Sequence, residues 1–363
     1  MAPKDGDAFK KVQSRHRKSP HVLIDEVVDF RRPSDSRVIP ISSISAVAPS
    51  SPRSPTLYGL SSHPGFVFAP DCLSPDVQER LAYHALSQYC ERPHRTNIDL
   101  VPIKPTMEED DERSIWDIWK AIYGFDGQDE RRDKRQCRED AGANKTHEIK
   151  RLQPYRSPKK LSWATMGYHY DWTARTYTEE EKSPVPPELL HLSEELIKML
   201  PNVGSFKASA AIVNYYNRKQ QMGGHRDDLE FDFTKPVLSL SLGLSAIFLL
   251  GGKTREEPPV PLLVRPGDVM FLGGESRLAY HGMAKVLPSD LNDDVVPSKT
   301  SSPSPLPDSL IETPENERAA VKFFLSSHRI NINIRQVLPD GVETITDLQK
   351  RTDYNKRDLP EIA

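Results

Sequence analysis

The stretch Arg329-Ile330-Asn331-Ile332-Asn333-Ile334-Arg335 alternates polar or cationic residues with β-branched isoleucines. A period of two fits a strand and excludes a helix, because successive side chains on a strand point to opposite faces. Both faces must then be satisfied: the isoleucines need an apolar layer, and Arg329, Asn331, Asn333 and Arg335 need polar partners. The run from Leu238 to Ser245 alternates leucine with serine or glycine and makes the same demand.

Other segments extend the sheet. Strands are predicted over 64–68, 208–216, 237–250, 262–264, 269–272 and 330–337, with turn signals at Gly251-Gly252, Pro266-Gly267-Asp268 and Gly273-Gly274. Helices are predicted over 75–89, where Ser74 is the N-cap, over 112–123, over 187–200 and, shorter, over 317–326. Antiparallel strands with helices segregated to the N-terminal side indicate an α+β domain on a barrel or jelly-roll core.

That domain is expected to occupy residues 61–338, after a flexible, disordered Ser/Pro-rich arm over 1–60 and before a C-terminal tail over 339–363. Two insertions, a charged one over 126–148 and a disordered one over 288–316, interrupt it. The net charge of −3 lacks the basic signature of a whole-chain nucleic-acid binder, so any polyanion site must be local. Three cysteines are too few and too irregular for a disulfide framework or cysteine-rich zinc site, and read as reduced thiols. No run approaches the roughly 18 apolar residues of a membrane span. The expectation is a soluble monomer of the cytoplasm or nucleus that engages no membrane.

The chemistry is carried by His225-Arg226-Asp227, an imidazole and a carboxylate two residues apart that can share an ion if the segment is extended. His281, after the predicted strand 269–272, completes a candidate set. Two histidines and one carboxylate on one face of an ion leave three positions open, which suits non-haem Fe(II) oxygen chemistry rather than structural zinc. The polar face of 329–335 could hold a co-substrate, and a dicarboxylate such as 2-oxoglutarate fits because guanidinium groups bind carboxylates bidentately. The alternative is a solvent-facing sheet edge. Asn214 and Tyr216, on the strand before the metal loop, would add an amide and a phenol.

His225-x-Asp227, the run Pro236 to Phe248, the block Pro266-Gly267-Asp268-Val269 through Tyr280-His281-Gly282, and Arg329-x-Asn331-x-Asn333-x-Arg335 together resemble the AlkB dioxygenases over about residues 64–338. Leu161 to Trp172 and Asn214-Tyr215-Tyr216 are similar to the eukaryotic homologues of the first type. The resemblance implies a double-stranded β-helix with Fe(II) on His225, Asp227 and His281. It implies 2-oxoglutarate on Asn214, Tyr216, Arg329, Asn331 and Arg335, with O2 as oxidant. It further implies oxidative demethylation of an N-methylated base, methyladenine foremost, in RNA (tRNA or mRNA) or DNA, with release of formaldehyde, succinate and CO2. One departure bears on the base: where bacterial members carry a second acid two positions after the metal carboxylate, this chain has Leu229, flanked by Asp228 and Glu230.

An unpaired base needs aromatic faces, and Trp163, Tyr168, Tyr170 and Trp172 form an aromatic segment suited to substrate binding. Trp163 is expected in the core and Tyr170 at the base; Lys150, Arg151, Arg156, Lys159 and Lys160 are candidate phosphate contacts. The competing functional readings are a protein side-chain hydroxylase on the same scaffold and a non-catalytic nucleic-acid binding protein.

Overall fold

The computed structural model describes residues 6–32, 34–41, 56–100, 114–125, 160–171, 176–180, 182–201, 203–288 and 312–350. Its large sheet is antiparallel. From one edge it runs β1 (Val38–Ile41), β2 (Leu57–Leu60), β3 (His63–Ala69), β13 (Val269–Leu272) and β10 (Val237–Gly243). It continues through β15 (His328–Arg335), β8 (Ala210–Asn217), β5 (Trp163–Gly167) and β4 (Arg95–Thr96). Facing it is a four-stranded sheet in the order β12 (Val260–Val264), β11 (Ala246–Leu250), β14 (His281–Val286), β9 (Met222–His225). A two-stranded ribbon joins β6 (Tyr170–Asp171) to β7 (Thr176–Tyr177).

The two alternating runs are β10 and β15, paired with Ser241 opposite Asn331 and Ser239 opposite Asn333. Leu238, Leu240, Leu242, Ile330, Ile332 and Ile334 are all 0% exposed and share a core with the helices. Those helices are α2 (Pro75–Ser87), α3 (Ile115–Tyr123), α4 (Pro187–Ile197) and α5 (Glu315–Leu325), counted after an N-terminal α1 (Ala8–Lys18). Burying six such side chains is worth on the order of 10 kcal/mol before the entropy of ordering them. The opposite face looks into the space between the sheets, where Asn331 Nδ2 donates to Ser239 Oγ at 2.9 Å and Arg329 Nη2 donates to Ser241 Oγ at 2.9 Å. The jelly roll with one helical layer is therefore as expected. Ser74 caps α2 through its hydroxyl, and Ser114 does the same for α3.

Three expectations need correction. The predicted strand 237–250 is two strands in different sheets: Gly243 has φ 77°, and a Cβ there would sit 2.2 Å from the His328 carbonyl oxygen. The chain turns at that glycine and crosses from the large sheet to the small one. Residues 6–32 and 34–41 are not an arm but carry α1, the 3-10 turn Ile24–Glu26 and β1. Phe9, Val28 and Phe30 are buried, Phe30 stacks on Phe68 at 4.2 Å, and Asp29 accepts two bonds from Arg265 at 2.6 and 2.7 Å. The apolar residues come in runs of one to three broken by charges, so window averages hide contacts that are individually deep. The tail holds α6 (Ile345–Lys350), with Val342, Ile345 and Leu348 buried beside Tyr168 and Tyr177.

The charged insertion lies outside the described residues, as does 289–311 of the second, while α5 starts at Glu315, inside the stretch read as insertion. Among the described residues no helix is long and apolar enough to cross a membrane.

Candidate metal and co-substrate site

β9 ends at His225 and β14 begins at His281, and the two residues are partners across the strand pair. Their ring centroids lie 4.4 Å apart. Asp227, just beyond β9, points between them: its carboxylate is 4.0 Å from His225 Nε2 and 3.8 Å from His281 Nε2. One donor atom from each residue lies within 4.8 Å of the others. Among the described residues this is the only such cluster of metal-ligating side chains.

The imidazoles are pre-set for a cation. His225 Nδ1 contacts Gly223 O at 3.0 Å and His281 Nδ1 contacts Ala279 O at 3.1 Å. A carbonyl only accepts, so each Nδ1 carries the proton and each Nε2 turns a lone pair toward Asp227. Burial, helped by His225, draws the His281 imidazolium down to about 4, so the ring is neutral at neutral pH, as a ligand must be. Burial alone would raise the Asp227 carboxyl, but Arg335, His281 and His225 outweigh it and hold it well below the usual carboxylate range. Arg335 Nη2 donates to Asp227 Oδ2 at 2.8 Å.

Beneath the triad is a buried charge network that the sequence did not reveal. Arg277 is 2% exposed, in the 3-10 segment Gly274–Leu278, and donates to Asp227 O at 2.6 Å, Lys235 O at 3.0 Å and Glu230 Oε2 at 2.9 Å. Glu230 also takes the Tyr177 hydroxyl at 3.3 Å and lies 3.5 Å from Arg335 Nε. It is 2% exposed and is engaged in holding the metal loop. Leu229 packs on the cluster of Tyr168, Tyr170 and Tyr177, and Asp228 pairs with Arg226 at 3.4 Å. Arg277 stands inside the motif block, but its partners lie 42 to 50 residues away, a distance no local pattern encodes.

Arg329 marks the other end of the pocket. It is 3% exposed; among the described residues it donates to Leu244 O at 3.2 Å and Ser241 Oγ at 2.9 Å, and its Nε finds no partner. No carboxylate among the described residues forms an ion pair with it, and burial pulls its guanidinium down to about 10. A buried cation with neutral partners is costly unless an anion joins it. Asn214, Tyr216, Arg329, Asn331 and Arg335 line the same pocket as His225, Asp227 and His281, with Asn333, Ser239 and Phe248 completing the wall. The polar face of β15 is thus not a solvent-facing edge; the triad would suit a ferrous ion, and Arg329 with the neighbouring amides and phenol would suit a dicarboxylate. A separate, open cleft of about 450 Å³ on the helical side, lined in part by Trp116, Trp119 and Tyr215, contains none of the triad.

The aromatic segment divides differently from the expectation. Trp163 is opposite Asn214, so it shares the pocket-facing side of the sheet; it is half-buried, while its neighbours Ala164 and Met166 fill the core. Its expected core role is therefore corrected. Tyr168 is 2% exposed, donates to Glu179 at 2.7 Å, lies under the Lys182 ammonium and packs in a core cluster with Tyr177, which makes it a core residue rather than a base contact. Tyr170 is half-buried, edge-on to Tyr177 at 5.6 Å. Trp172, Lys150, Arg151, Arg156 and Lys159 lie outside the described residues, and Lys160 is exposed.

A jelly roll holding a His-Asp-His cluster beside an unneutralised arginine defines an oxygenase that pairs a non-haem metal with a dicarboxylate co-substrate. The family described as the 2OG-Fe(II) oxygenase superfamily matches residues 124–335. "Nucleic acid dioxygenase ALKBH1" of Mus musculus is 32% identical over 83% of this chain and 71% of its own. "DNA N(6)-methyladenine demethylase ALKBH1A" of Arabidopsis thaliana is 29% identical over 89% and 90%. "tRNA demethylase abh1" of Schizosaccharomyces pombe is 30% identical over 78% and 83%. The chain belongs to the AlkB family of 2OG-Fe(II) oxygenases and groups there with the ALKBH1-like members. Fe(II), 2-oxoglutarate and O2 are the cofactors this membership entails.

Proposed function

We propose that this protein removes N-methyl groups from nucleobases, methyladenine foremost, in RNA or DNA. His225, Asp227 and His281 hold Fe(II), and Asn214, Tyr216, Arg329, Asn331 and Arg335 hold 2-oxoglutarate. With O2, the loaded site would supply the oxidation of the methyl carbon, one oxygen atom going to it and one to succinate as CO2 is lost; the C–N bond of the hydroxymethyl adduct then breaks, formaldehyde leaving and the proton going to the base nitrogen. The chain's own part is placement. The Nδ1 bonds to Gly223 and Ala279 fix both imidazoles, and Arg335 keeps Asp227 ionised. Arg329 would anchor a carboxylate of the co-substrate in a pocket whose apolar wall is Phe248, Met270, Leu272 and Met283. Trp163, on the pocket side of β5, offers a flat face for an unstacked base.

The carrying observation is the unpaired Arg329 charge in the same pocket as the triad, and the names borne by the relatives support the choice of substrate. The test is formaldehyde release from N-methyladenine oligoribonucleotides and oligodeoxyribonucleotides with iron and 2-oxoglutarate, wild type against His225→Ala. Release is expected only from wild type. Equal release by both, or release from a methylated peptide alone, refutes the assignment.

A further inference from the structure

β9 is the weakest element of the site and carries one of its ligands. It is four residues long, contains Gly223-Gly224, lies at the edge of its sheet and pairs only with β14, with an irregularity in register. Glycines in a strand supply no packing and raise the entropy of fixing it. Something else must hold His225 still.

That support comes from more than 200 residues away, in α1. Gln13 is buried and its Nε2 donates to Met222 O at 2.7 Å, the first carbonyl of β9. Phe9, 0% exposed, lies flat on the strand: a Cβ on Gly224 would be 2.7 Å from its ring, and one on Gly251 would be 3.0 Å from it. The Gly224 carbonyl accepts from Arg255 Nη1 at 2.8 Å, and Arg255 is itself gripped by Asp7 Oδ2 at 3.1 and 2.9 Å. Asp7 also caps α1 by accepting from Lys10 N at 2.8 Å. At the far end of the helix, Lys285 of β14 donates to Ser19 O at 2.6 Å. The middle carbonyl, Gly223 O, is the one that takes the His225 Nδ1 proton. All three carbonyls preceding His225 are thus tied, two of them through α1 and its cap.

We propose that α1 is a positioning element for the metal: Phe9 and Gln13, with the Asp7–Arg255 clamp, fix β9 so that His225 meets the ion. Resting on the metal-site reading above, the inference makes the amino-terminal helix part of the active centre without touching substrate or cofactor. Gly224 follows from the same packing, since a side chain there would displace Phe9.

The experiment titrates Mn(II) into the full-length protein, without turnover, and records Co(II) visible absorption as a report on ligand geometry. Phe9→Ala is expected to weaken Mn(II) binding roughly 10- to 100-fold, the usual cost of losing an outer-shell support, and to alter the Co(II) bands. Gln13→Met, which keeps the helix and the side-chain volume, should show the same trend to a smaller degree, and Arg17→Ala on the exposed face should bind as wild type does. If Phe9→Ala loses cooperative unfolding, Gln13→Met decides. Wild-type affinity and Co(II) spectrum in Gln13→Met, or in a folded Phe9→Ala, overturn the proposal alone. A wild type that does not bind Mn(II), or a His225→Ala variant that binds equally well, overturns the metal-site reading and the proposal with it.

Discussion

Replacing Arg329 by methionine should move two quantities in opposite directions. In the unliganded protein the guanidinium is 3% exposed with neutral partners, and burial pulls it from 12.5 down to about 10. Holding it charged costs on the order of 3 kcal/mol. A native value below the ordinary one means that the charge opposes folding at every pH below about 10, so its removal is favourable at neutral pH. Against that stand two lost hydrogen bonds, to Leu244 O and Ser241 Oγ, worth about 1 kcal/mol each. The balance is a gain of about 1 kcal/mol, or a Tm higher by roughly 2 to 4 °C. Binding goes the other way, because the charge-assisted bonds to the co-substrate carboxylate disappear, a loss of about 3 kcal/mol or roughly a hundredfold in Kd. Thermal unfolding of the unliganded protein and calorimetric titration of 2-oxoglutarate in the presence of Mn(II) measure both. An Arg329→Met variant that binds 2-oxoglutarate within threefold of wild type, or whose Tm falls by more than about 5 °C, refutes the reasoning.

Arg277→Met strips donors from Asp227 O, Lys235 O and Glu230, leaving Glu230 buried with only Arg335 and Tyr177. Urea unfolding should show a loss of about 3 to 5 kcal/mol, and a loss below about 1 contradicts the network. The Cys72 thiol is pushed up to about 12 by burial and by Asp268 and Asp71, so iodoacetamide at pH 8 should label it at least about tenfold more slowly than a free peptide thiol; comparable rates by peptide mass spectrometry would disprove this. Burial would raise Asp29, but Arg265 and the Arg31 amide bring it below its ordinary 3.8. A depressed carboxyl stabilises fully above its unfolded value and loses that contribution as pH falls through the native one. Asp29→Asn should therefore lower stability at pH 7 and flatten the acid limb below about pH 4, and an unchanged acid limb in denaturant titrations counts against the pair.

Much of the site could be read along the chain because its signals are local. The alternation in 329–335 forces one face of β15 to be polar, and the two-residue spacing of His225 and Asp227 needs only an extended segment. What stayed hidden depends on distant partners. Phe9, Gln13 and Asp7 read as part of a flexible arm until β9 and Arg255 are beside them. Glu230 could be given no role from sequence, because its burial against Arg277 is invisible in one dimension. The run 237–250 read as one strand because its composition is uniform, whereas a single backbone angle at Gly243 divides it. Trp163 was misplaced for a related reason: the side of the sheet it faces is set by register against β8, not by its own side chain.

The strand pair β10 and β15 has a genetic corollary. Inserting or deleting one codon within Arg329–Arg335 would rotate part of the strand by half a turn, driving guanidinium and amide groups into the helix-packed layer and isoleucines toward the reaction chamber. Substitutions there damage one contact at a time, but a change in length inverts the whole surface downstream of it. Natural variation in this chain's length should therefore avoid this strand and accumulate in the connections between strands.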